Sequence, residues 1–279
     1  MAEINAALVA KLREMTGAGM MDCKKALIET AGDVSAAVDV LRKKGAVTTA
    51  ARGAKEAREG LIAQFIAPGA RRGILVEVNC QTDFVARNES FQAFAAEVAR
   101  LLVEQPDANL ETLREEQVAR IRENIRISRH EIIEVSGTGL VAAYIHHGAK
   151  IGVLVEVGAA HETTLGQEGF KQFVKDITLQ VAAAAPVAVG RDQIDPALVA
   201  KEKEIATEQV KNKPPQAIPK IVEGKLEKYF QTVCLLDQGF IKKNSEVTVK
   251  EHMAALASEL GDELVIRRFL RYQVGEATG

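Results

Sequence analysis

The chain has 279 residues, of which 47% are hydrophobic and only 4% aromatic, and its formal net charge is −2 at pH 7. Apolar residues are numerous enough for a real core, whereas the near-neutral charge argues against bulk affinity for nucleic acid. We expect no signal peptide, because the first residues lack a basic region followed by an apolar run, and no apolar run is long enough to span a bilayer. Three widely separated cysteines suggest neither disulfides nor zinc. We therefore expect a soluble protein of the reducing cytoplasm, organised as one large domain or several small modules.

The first fifty residues predict three short helices. Asn5 caps the first helix, which ends at Gly17, the second spans residues 20–30, and Asp33 caps the third. A unit this small has marginal stability alone, so we expect it to pack against a partner. The apolar positions of these helices are Leu8, Val9, Leu12, Ala37, Val40 and Leu41.

A duplicated segment follows. Residues 60–78 match residues 139–157 at 11 of 19 positions when 79 is added to each number. We name these repeats the first copy and the second copy. In each, two β-rich runs flank a Gly-containing loop and precede a helix, which predicts a β-hairpin followed by a helix. The apolar positions of the two helices are Phe91, Phe94, Ala95, Val98 and Leu102 in the first copy, and Phe170, Phe173, Val174 and Ile177 in the second.

Further elements follow each copy. Residues 110–124 predict a charged amphipathic helix, and residues 125–135 predict an extra strand. Two charged helices at residues 197–213 and 218–230, separated by a Pro-Pro break, favour an antiparallel helical hairpin that projects from the body. The fold class is therefore α+β, with two core subdomains related by pseudo-symmetry. The remaining predicted segments are an extended stretch at 233–241, a helix at 250–260 and an extended or short helical tail at 264–274.

Enzyme motifs are missing from the sequence. There is no nucleotide-binding loop and no Gly-x-Ser-x-Gly elbow, and the zinc-protease pattern that begins at His161 lacks its second histidine. The neighbours His146 and His147 are a poor metal pair, because adjacent strand residues face opposite sides. We therefore predict no catalytic, cofactor-binding or metal-binding residue, and no enzyme. A small-molecule enzyme that uses these three histidines is a weak alternative.

The two copies differ sharply just after the matched segment, where Gln81–Val85 faces Ala160–Thr164. Phe84 has two interpretations: a core residue that fills the corner between strand and helix, or an exposed anchor that enters a pocket on a partner. Because Thr163 occupies the equivalent corner, the fold does not require an aromatic there, which favours the anchor. Asp83 is either a helix cap or a group that probes a polar site on a partner.

Two other places have open interpretations. His146 and His147 lie at the predicted hairpin tip of the second copy, where they form either a solvated loop or a contact surface. Met20 and Met21 are either core residues of the small helical unit or, because adjacent helix residues point about 100° apart, in part an exposed interface.

Four motifs together resemble the bacterial elongation factor Ts family, the guanine-nucleotide exchange factors for elongation factor Tu. They are Leu12–Leu27, Thr82–Ala86, His147–Val155 and the ending Val265–Glu276. The resemblance covers the whole chain, and the first two motifs are long and specific. After Glu276 the chain lacks the family's usual Gly, which leaves the contacts of the last residues undefined.

The resemblance implies a modular layout. It adds the expectations that the N-terminal unit is ubiquitin-associated-like (UBA-like), that the helical hairpin is a coiled coil, and that a small C-terminal module completes the chain. The implied divisions are a UBA-like module at 1–47, a linker at 48–58, a core N-subdomain at 59–137, a core C-subdomain at 138–188 with 231–264, the coiled-coil hairpin at 189–230 and the C-terminal module at 265–279.

The resemblance also implies partner contacts. Met20 and Met21 grip a helix of the GTP-binding domain of elongation factor Tu, and the C-terminal module, with Phe269, assists. Asp83 and Phe84 push towards the magnesium and phosphate site of that domain, and His147 touches another domain of the partner. Thr82 and Val85 complete the partner-binding turn. The resemblance implies no direct binding of nucleotide, nucleic acid or membrane by this chain.

Two alternatives stay open from the sequence. An RNA-binding or ribosome-associated scaffold, using Arg71-Arg72 and the Lys-rich hairpin, is the main alternative to an exchange factor. A homodimer through the helical hairpin is also compatible with the sequence.

Overall fold

The structure is a computed structural model that describes residues 6–16, 20–41 and 57–276. The predicted cap at Asn5, the predicted helix end at Gly17 and nearly all of the predicted linker lie outside these residues. The described chain combines helices with two three-stranded antiparallel sheets, so the α+β prediction is confirmed. None of the described helices is long and apolar enough to cross a membrane.

The N-terminal helices are α1 (Ala6–Thr16), α2 (Met20–Glu29) and α3. Helix α3 begins at residue 34 and continues to residue 41, where the second described range ends. Gly32, at a φ of 90°, closes α2, and its N–H donates to the carbonyl of Leu27 at 2.8 Å. The Asp33 carboxylate accepts from the N–H of Ala36 at 3.0 Å, which is the predicted cap. The buried core of this unit comprises Val9, Leu12, Cys23, Ala26, Leu27 and Ala37.

The first copy and the segment after it form one sheet with helices on its outer face. The strand order is β1-β2-β3, and every pair is antiparallel. The elements are β1 (Glu59–Ile66), β2 (Arg72–Cys80), α4 (Asp83–Ala86), α5 (Glu89–Glu104), α6 (Glu111–Ile121) and β3 (Arg126–Glu134).

The second copy repeats this plan, with the order β4-β5-β6 and a helical insertion before its last helix. Both sheets shift register at the same place: β3 has one extra residue, Ser128, opposite Glu77 and Val78, and β6 has one extra residue, Arg267, opposite Glu156 and Val157. The elements are β4 (Gly139–Ile145), β5 (Ile151–Ala159), α7 (Glu162–Leu165), α8 (Glu168–Ala184), α9 (Pro196–Gln209), α10 (Ile218–Val233), α11 (Val249–Leu260) and β6 (Leu264–Gln273).

Each central strand is buried on both faces, because one face meets helices and the other meets the opposite sheet. The helix side of β2 packs against Phe91, Phe94 and Val98 of α5. The helix side of β5 packs in the same way against α8 and α11. Between the sheets lies a third buried cluster, which comprises Ile62, Leu75, Ile133, Val135, Val141, Leu154 and Tyr272.

The sheets meet through reciprocal contacts. The N–H of Ile62 in β1 donates to the carbonyl of Ala149 in the β4–β5 tip at 2.7 Å. The equivalent N–H of Val141 in β4 donates to the carbonyl of Ala70 in the β1–β2 tip at 2.8 Å. Gly152 allows this close approach, because a Cβ there would lie 2.4 Å from a methyl carbon of Ile62. Each hairpin tip is thus fixed against the other copy.

Two segments of the second copy take their conformation from tertiary packing. Residues 233–241 were expected to be extended, but they turn through a 3₁₀ helix at Leu235–Asp237. The turn lets Leu235 and Phe240 enter the second core, which an extended chain would pass by. The tail, predicted as strand or short helix, is strand β6, and it pairs along its length with β5. Most of the segment predicted as a C-terminal module is therefore structurally part of the second sheet.

The helical insertion consists of α9 and α10, which pack on each other through Ala206, Val210 and Val222. Asp195 caps α9 by accepting from the N–H of Ala197 at 2.8 Å, ahead of a helix that starts at Pro196. The two predicted helices of this segment are therefore present in the structure.

Candidate functional site

Phe84 projects from a short, well-anchored turn. It lies in α4, directly after the buried end of β2, and 80% of its surface is exposed. The next two residues face inward: Val85 packs against the first core, and Ala86 is 8% exposed. The interpretation of Phe84 as a core residue is therefore wrong. We call residues 82–85 the Phe84 turn.

Hydrogen bonds fix the start of the Phe84 turn. Thr82 is the N-cap of α4, and its hydroxyl accepts from the N–H of Val85 at 3.4 Å. The carboxylate of Glu123 accepts from the backbone N–H groups of Gln81 and Thr82, both at 3.1 Å, and from the Thr82 hydroxyl at 2.7 Å. Beneath them the Cys80 thiol donates to the Thr82 carbonyl at 3.2 Å, and burial raises the pKa of Cys80 to about 12.

Asp83 lies on the open side of the turn, where it pairs with Arg87 at 3.1 Å. The Asp83 side chain is 44% exposed and that of Arg87 is 79% exposed. Exposed pairs of this kind contribute about 0–1 kcal/mol, so an incoming partner can replace either member at little cost. Asp83 does not act as the cap of α4, because Thr82 fills that position.

The second copy has the same turn without an aromatic. Asp262 takes the place of Glu123: it accepts from the N–H groups of Ala160 and His161, both at 3.1 Å, and from the Thr164 hydroxyl at 2.5 Å. The Thr164 hydroxyl, together with the backbone N–H groups of Glu263 and His161, holds the pKa of the Asp262 carboxyl well below its usual range. Thr163, the counterpart of Phe84, is exposed. We call residues 161–164 the Thr163 turn.

Sequence reasoning missed both acids, Glu123 and Asp262. Each lies outside the matched stretch, in the loop that follows α6 or α11, and neither has a conspicuous local pattern. A comparison of the two loops that precede β3 and β6 was the available signal, since each places a carboxylate just before its strand. Only the fold reveals what these carboxylates bind.

The structure brings Asp83 and His147 to one groove. The tip of the β4–β5 hairpin lies against β1, where Lys150 pairs with Glu59 at 2.5 Å. His147 is exposed at this tip, and Asp83 lies across the groove on α4. The groove has a volume of about 850 Å³. Residues far apart in sequence thus form one surface that joins the two copies.

The other predicted residues lie elsewhere. Met20 and Met21 are 57% and 63% exposed on α2, so their interpretation as core is wrong. Ile28, two helical turns after Met21 and 58% exposed, extends the same apolar strip and was missed. Phe269 is half-buried on β6, where it packs against the second core.

His146 and His161, which the sequence singled out as a weak enzyme alternative, make separate contacts. The Tyr144 hydroxyl lies 2.9 Å from Nδ1 of His146, and Nδ1 of His161 lies 3.0 Å from the Asp262 carboxylate. Within the described ranges, no group of three or more His, Cys, Asp or Glu residues could hold a metal ion.

Fold and site together define an α+β protein with an exposed aromatic on a rigid turn. Residues 81–276 match the family model described as Elongation factor TS. The chain is 42% identical to elongation factor Ts of Symbiobacterium thermophilum, over 99% of this chain and 93% of that protein. It is 41% identical to elongation factor Ts of Chloroherpeton thalassium, over 99% of this chain and 100% of that protein. The chain therefore belongs to the elongation factor Ts family, whose members are translation factors of protein biosynthesis.

Proposed function

We propose that this protein is a guanine-nucleotide exchange factor that binds elongation factor Tu and promotes release of GDP, so that GTP can reload. The observation that carries the proposal is the 80% exposure of Phe84 on a turn clamped by hydrogen bonds, whereas the duplicate of that turn has a threonine. An exposed aromatic on a rigid support is suited to entering a pocket of a partner. Such a protein needs no catalytic residue of its own.

The physical basis is competition for the nucleotide site. A translational GTPase holds its nucleotide through backbone amides, a lysine and a magnesium ion that bridges phosphate oxygens. Inserting the Phe84 ring beside that site displaces those groups, and Asp83 disturbs the polar contacts around the ion. Linkage then requires that the nucleotide weaken binding of the factor by the same free energy, typically about 1–3 kcal/mol.

The other contacts follow from the surfaces described above. In this proposal His147 touches a second domain of the partner, because it lies across the groove from Asp83 and extends the same surface. Met20 and Met21 present an exposed apolar strip that suits a helix of the GTP-binding domain. Thr82 and Val85 hold the Phe84 turn in place. Phe269, on strand β6 of the second sheet, contributes a further contact with the partner.

The module divisions belong to the same proposal. We infer a UBA-like module at 1–47, a linker at 48–58, subdomains at 59–137 and at 138–188 with 231–264, and a coiled-coil hairpin at 189–230. The C-terminal module at 265–279 follows, and its strand β6 pairs with the second sheet. The reciprocal contacts between the sheets support two related subdomains. We further propose that the protein acts in the cytoplasm without binding nucleotide, nucleic acid or membrane itself.

Stopped-flow fluorescence tests the proposal. Elongation factor Tu is loaded with a fluorescent GDP analogue and mixed with an excess of unlabelled GDP, with and without this protein. We expect release to accelerate in proportion to the protein concentration until it saturates. A release rate that is independent of the protein would contradict the proposal.

The RNA-scaffold alternative has less support. Arg71, one of its two arginines, donates to the carbonyls of Gly137 and Gly139, which is a structural use of its guanidinium. A gel shift with RNA at several salt concentrations separates the two functions, because a phosphate-driven binder loses affinity steeply as salt rises.

A further inference from the structure

Glu123 lies far from the Phe84 turn in sequence but in direct contact with it in the fold. It follows α6, in the loop before β3. Its Oε2 accepts from the backbone N–H groups of Gln81 and Thr82, both at 3.1 Å. Its Oε1 accepts from the Thr82 hydroxyl at 2.7 Å. One carboxylate therefore satisfies three donors at the junction of β2 and α4.

These hydrogen bonds hold the backbone on both sides of Phe84 along the chain. The Thr82 hydroxyl donates its proton to Glu123, and its oxygen accepts from the N–H of Val85. The residue before Asp83 and the residue after Phe84 are thus joined through one hydroxyl to one carboxylate. Hydrogen bonds to an ionised acceptor are shorter and stronger than neutral ones, so this chain of bonds holds the backbone that carries the ring.

Glu123 is itself held in place. Arg122 ends α6 in the left-handed conformation at a φ of 66°, and its N–H donates to the carbonyl of Val118 at 2.8 Å. The residues after Glu123 are buried: Asn124 is 3% exposed and Ile125 is fully buried. The carboxylate is therefore delivered from a fixed backbone rather than from a free loop.

The second copy supplies an internal comparison. Asp262 follows α11 and accepts from two backbone amides and the Thr164 hydroxyl of the Thr163 turn. Both copies therefore clamp the same corner with a carboxylate from the loop before the last strand. Only the first copy has an aromatic on the clamped turn. The clamp of the first copy therefore positions Phe84, whereas the clamp of the second copy positions Thr163.

We propose that Glu123 is a positioning residue for nucleotide exchange, which acts through Phe84 and which rests on the proposed function. It orders the Phe84 turn before the partner arrives, so that binding does not have to restrict the backbone that carries the ring. Pre-ordering of this kind increases affinity and rate because the ordering entropy is lost during folding rather than during association.

The test is a double-mutant cycle in the full chain, with the GDP-release assay as readout. Glu123→Ala is expected to lower the saturating release rate by about tenfold, on the scale of one lost charge-assisted hydrogen-bond network. In a Phe84→Ala background the same change is expected to have little further effect, because a ring that is absent cannot be misplaced. Glu123→Gln keeps an oxygen for the two amides and is expected to restore most of the rate.

Asp262→Ala is the matched control. It removes the corresponding clamp from the second copy, and we expect the GDP-release rate to stay within about twofold of wild type, since an exposed threonine replaces the anchor there. Amide hydrogen exchange should speed up at residues 81–85 in Glu123→Ala and at residues 160–164 in Asp262→Ala. If Glu123→Ala does not fold, Thr82→Val removes the same bridging hydroxyl and takes its place in the cycle.

The outcomes separate the two proposals. Equal losses from Glu123→Ala in the wild-type and Phe84→Ala backgrounds would mean a general structural role and would overturn the positioning role. An unchanged rate in Glu123→Ala, with a strong loss in Phe84→Ala, would also overturn it while leaving the exchange function intact. An unchanged rate in Phe84→Ala would remove the proposed anchor, and the role of Glu123 with it.

Discussion

Phe84→Ala is the most direct test of the anchor. Because 80% of the residue's surface is exposed, its removal should change the free energy of unfolding by no more than about 0.5 kcal/mol. Full burial of a phenylalanine side chain contributes about 1.5–3 kcal/mol, and the four-fifths still available to a partner therefore correspond to about 1–2.5 kcal/mol. At about 1.4 kcal/mol per tenfold change, GDP release should slow by about 5- to 60-fold.

The assay is stopped-flow release of a fluorescent GDP analogue at saturating protein, with urea unfolding measured in parallel. Thr163→Ala is the matched control, since it truncates the exposed residue at the same corner of the second copy and should leave the rate unchanged. A Phe84→Ala rate equal to wild type, in a protein of unchanged stability, would refute the reasoning. So would an equal loss in Thr163→Ala, because the two turns would then be equivalent.

Three further predictions concern other parts of the molecule. Met20→Ala combined with Met21→Ala should weaken binding of elongation factor Tu by about tenfold in calorimetry, because two exposed apolar side chains leave the interface. Asp262→Asn should reduce the acid sensitivity of folding: the lowered pKa of Asp262 stabilises the fold above the unfolded value of about 3.9, and that stability is lost as pH falls below it. Gly152→Ala should lower the free energy of unfolding by about 1–3 kcal/mol, because the new Cβ would meet Ile62 at 2.4 Å.

Each of these predictions has a control. Leu198→Ala removes an exposed apolar side chain from α9 and should leave the affinity unchanged; an equal loss there would contradict a specific role for the methionines. The acid unfolding curves of Asp262→Asn and wild type should converge at low pH, and parallel curves at all pH values would disprove the linkage. Gly224 lies in the middle of α10, where an added Cβ would meet no atom within 4 Å beyond its own stretch of helix. Gly224→Ala should therefore raise the free energy of unfolding by about 0.5–1 kcal/mol, and destabilisation at both glycines would disprove the steric argument.

Local pattern predicted most of the secondary structure. The spacing of Phe91, Phe94 and Val98 predicted α5, and the β-rich runs on either side of the Gly-containing loops predicted four strands. The duplication predicted that Phe84 is dispensable for packing, because the second copy has Thr163 at the same corner. These inferences succeed because each depends on neighbours within one or two turns of the chain, where periodicity reflects burial directly.

Long-range contacts limited the remaining predictions. Residues 233–241 carry β-favouring residues, but the need to bury Leu235 and Phe240 in the second core made them turn. The tail could be strand or helix in isolation, and pairing with β5 selected the strand β6. Local preference is weak for such short segments, so tertiary packing decides their conformation.

The sequence by itself determined the duplicated plan, the family and the residue at position 84 that distinguishes one copy from the other, since all of these are properties of residue order. Only the tertiary structure decided that Asp83 and His147 share a groove, and that Glu123 and Asp262 clamp equivalent turns. The physical reason is that a hydrogen bond or a groove depends on the distance between atoms in space. Chain folding sets that distance for residues about forty or a hundred positions apart, and no local pattern records it.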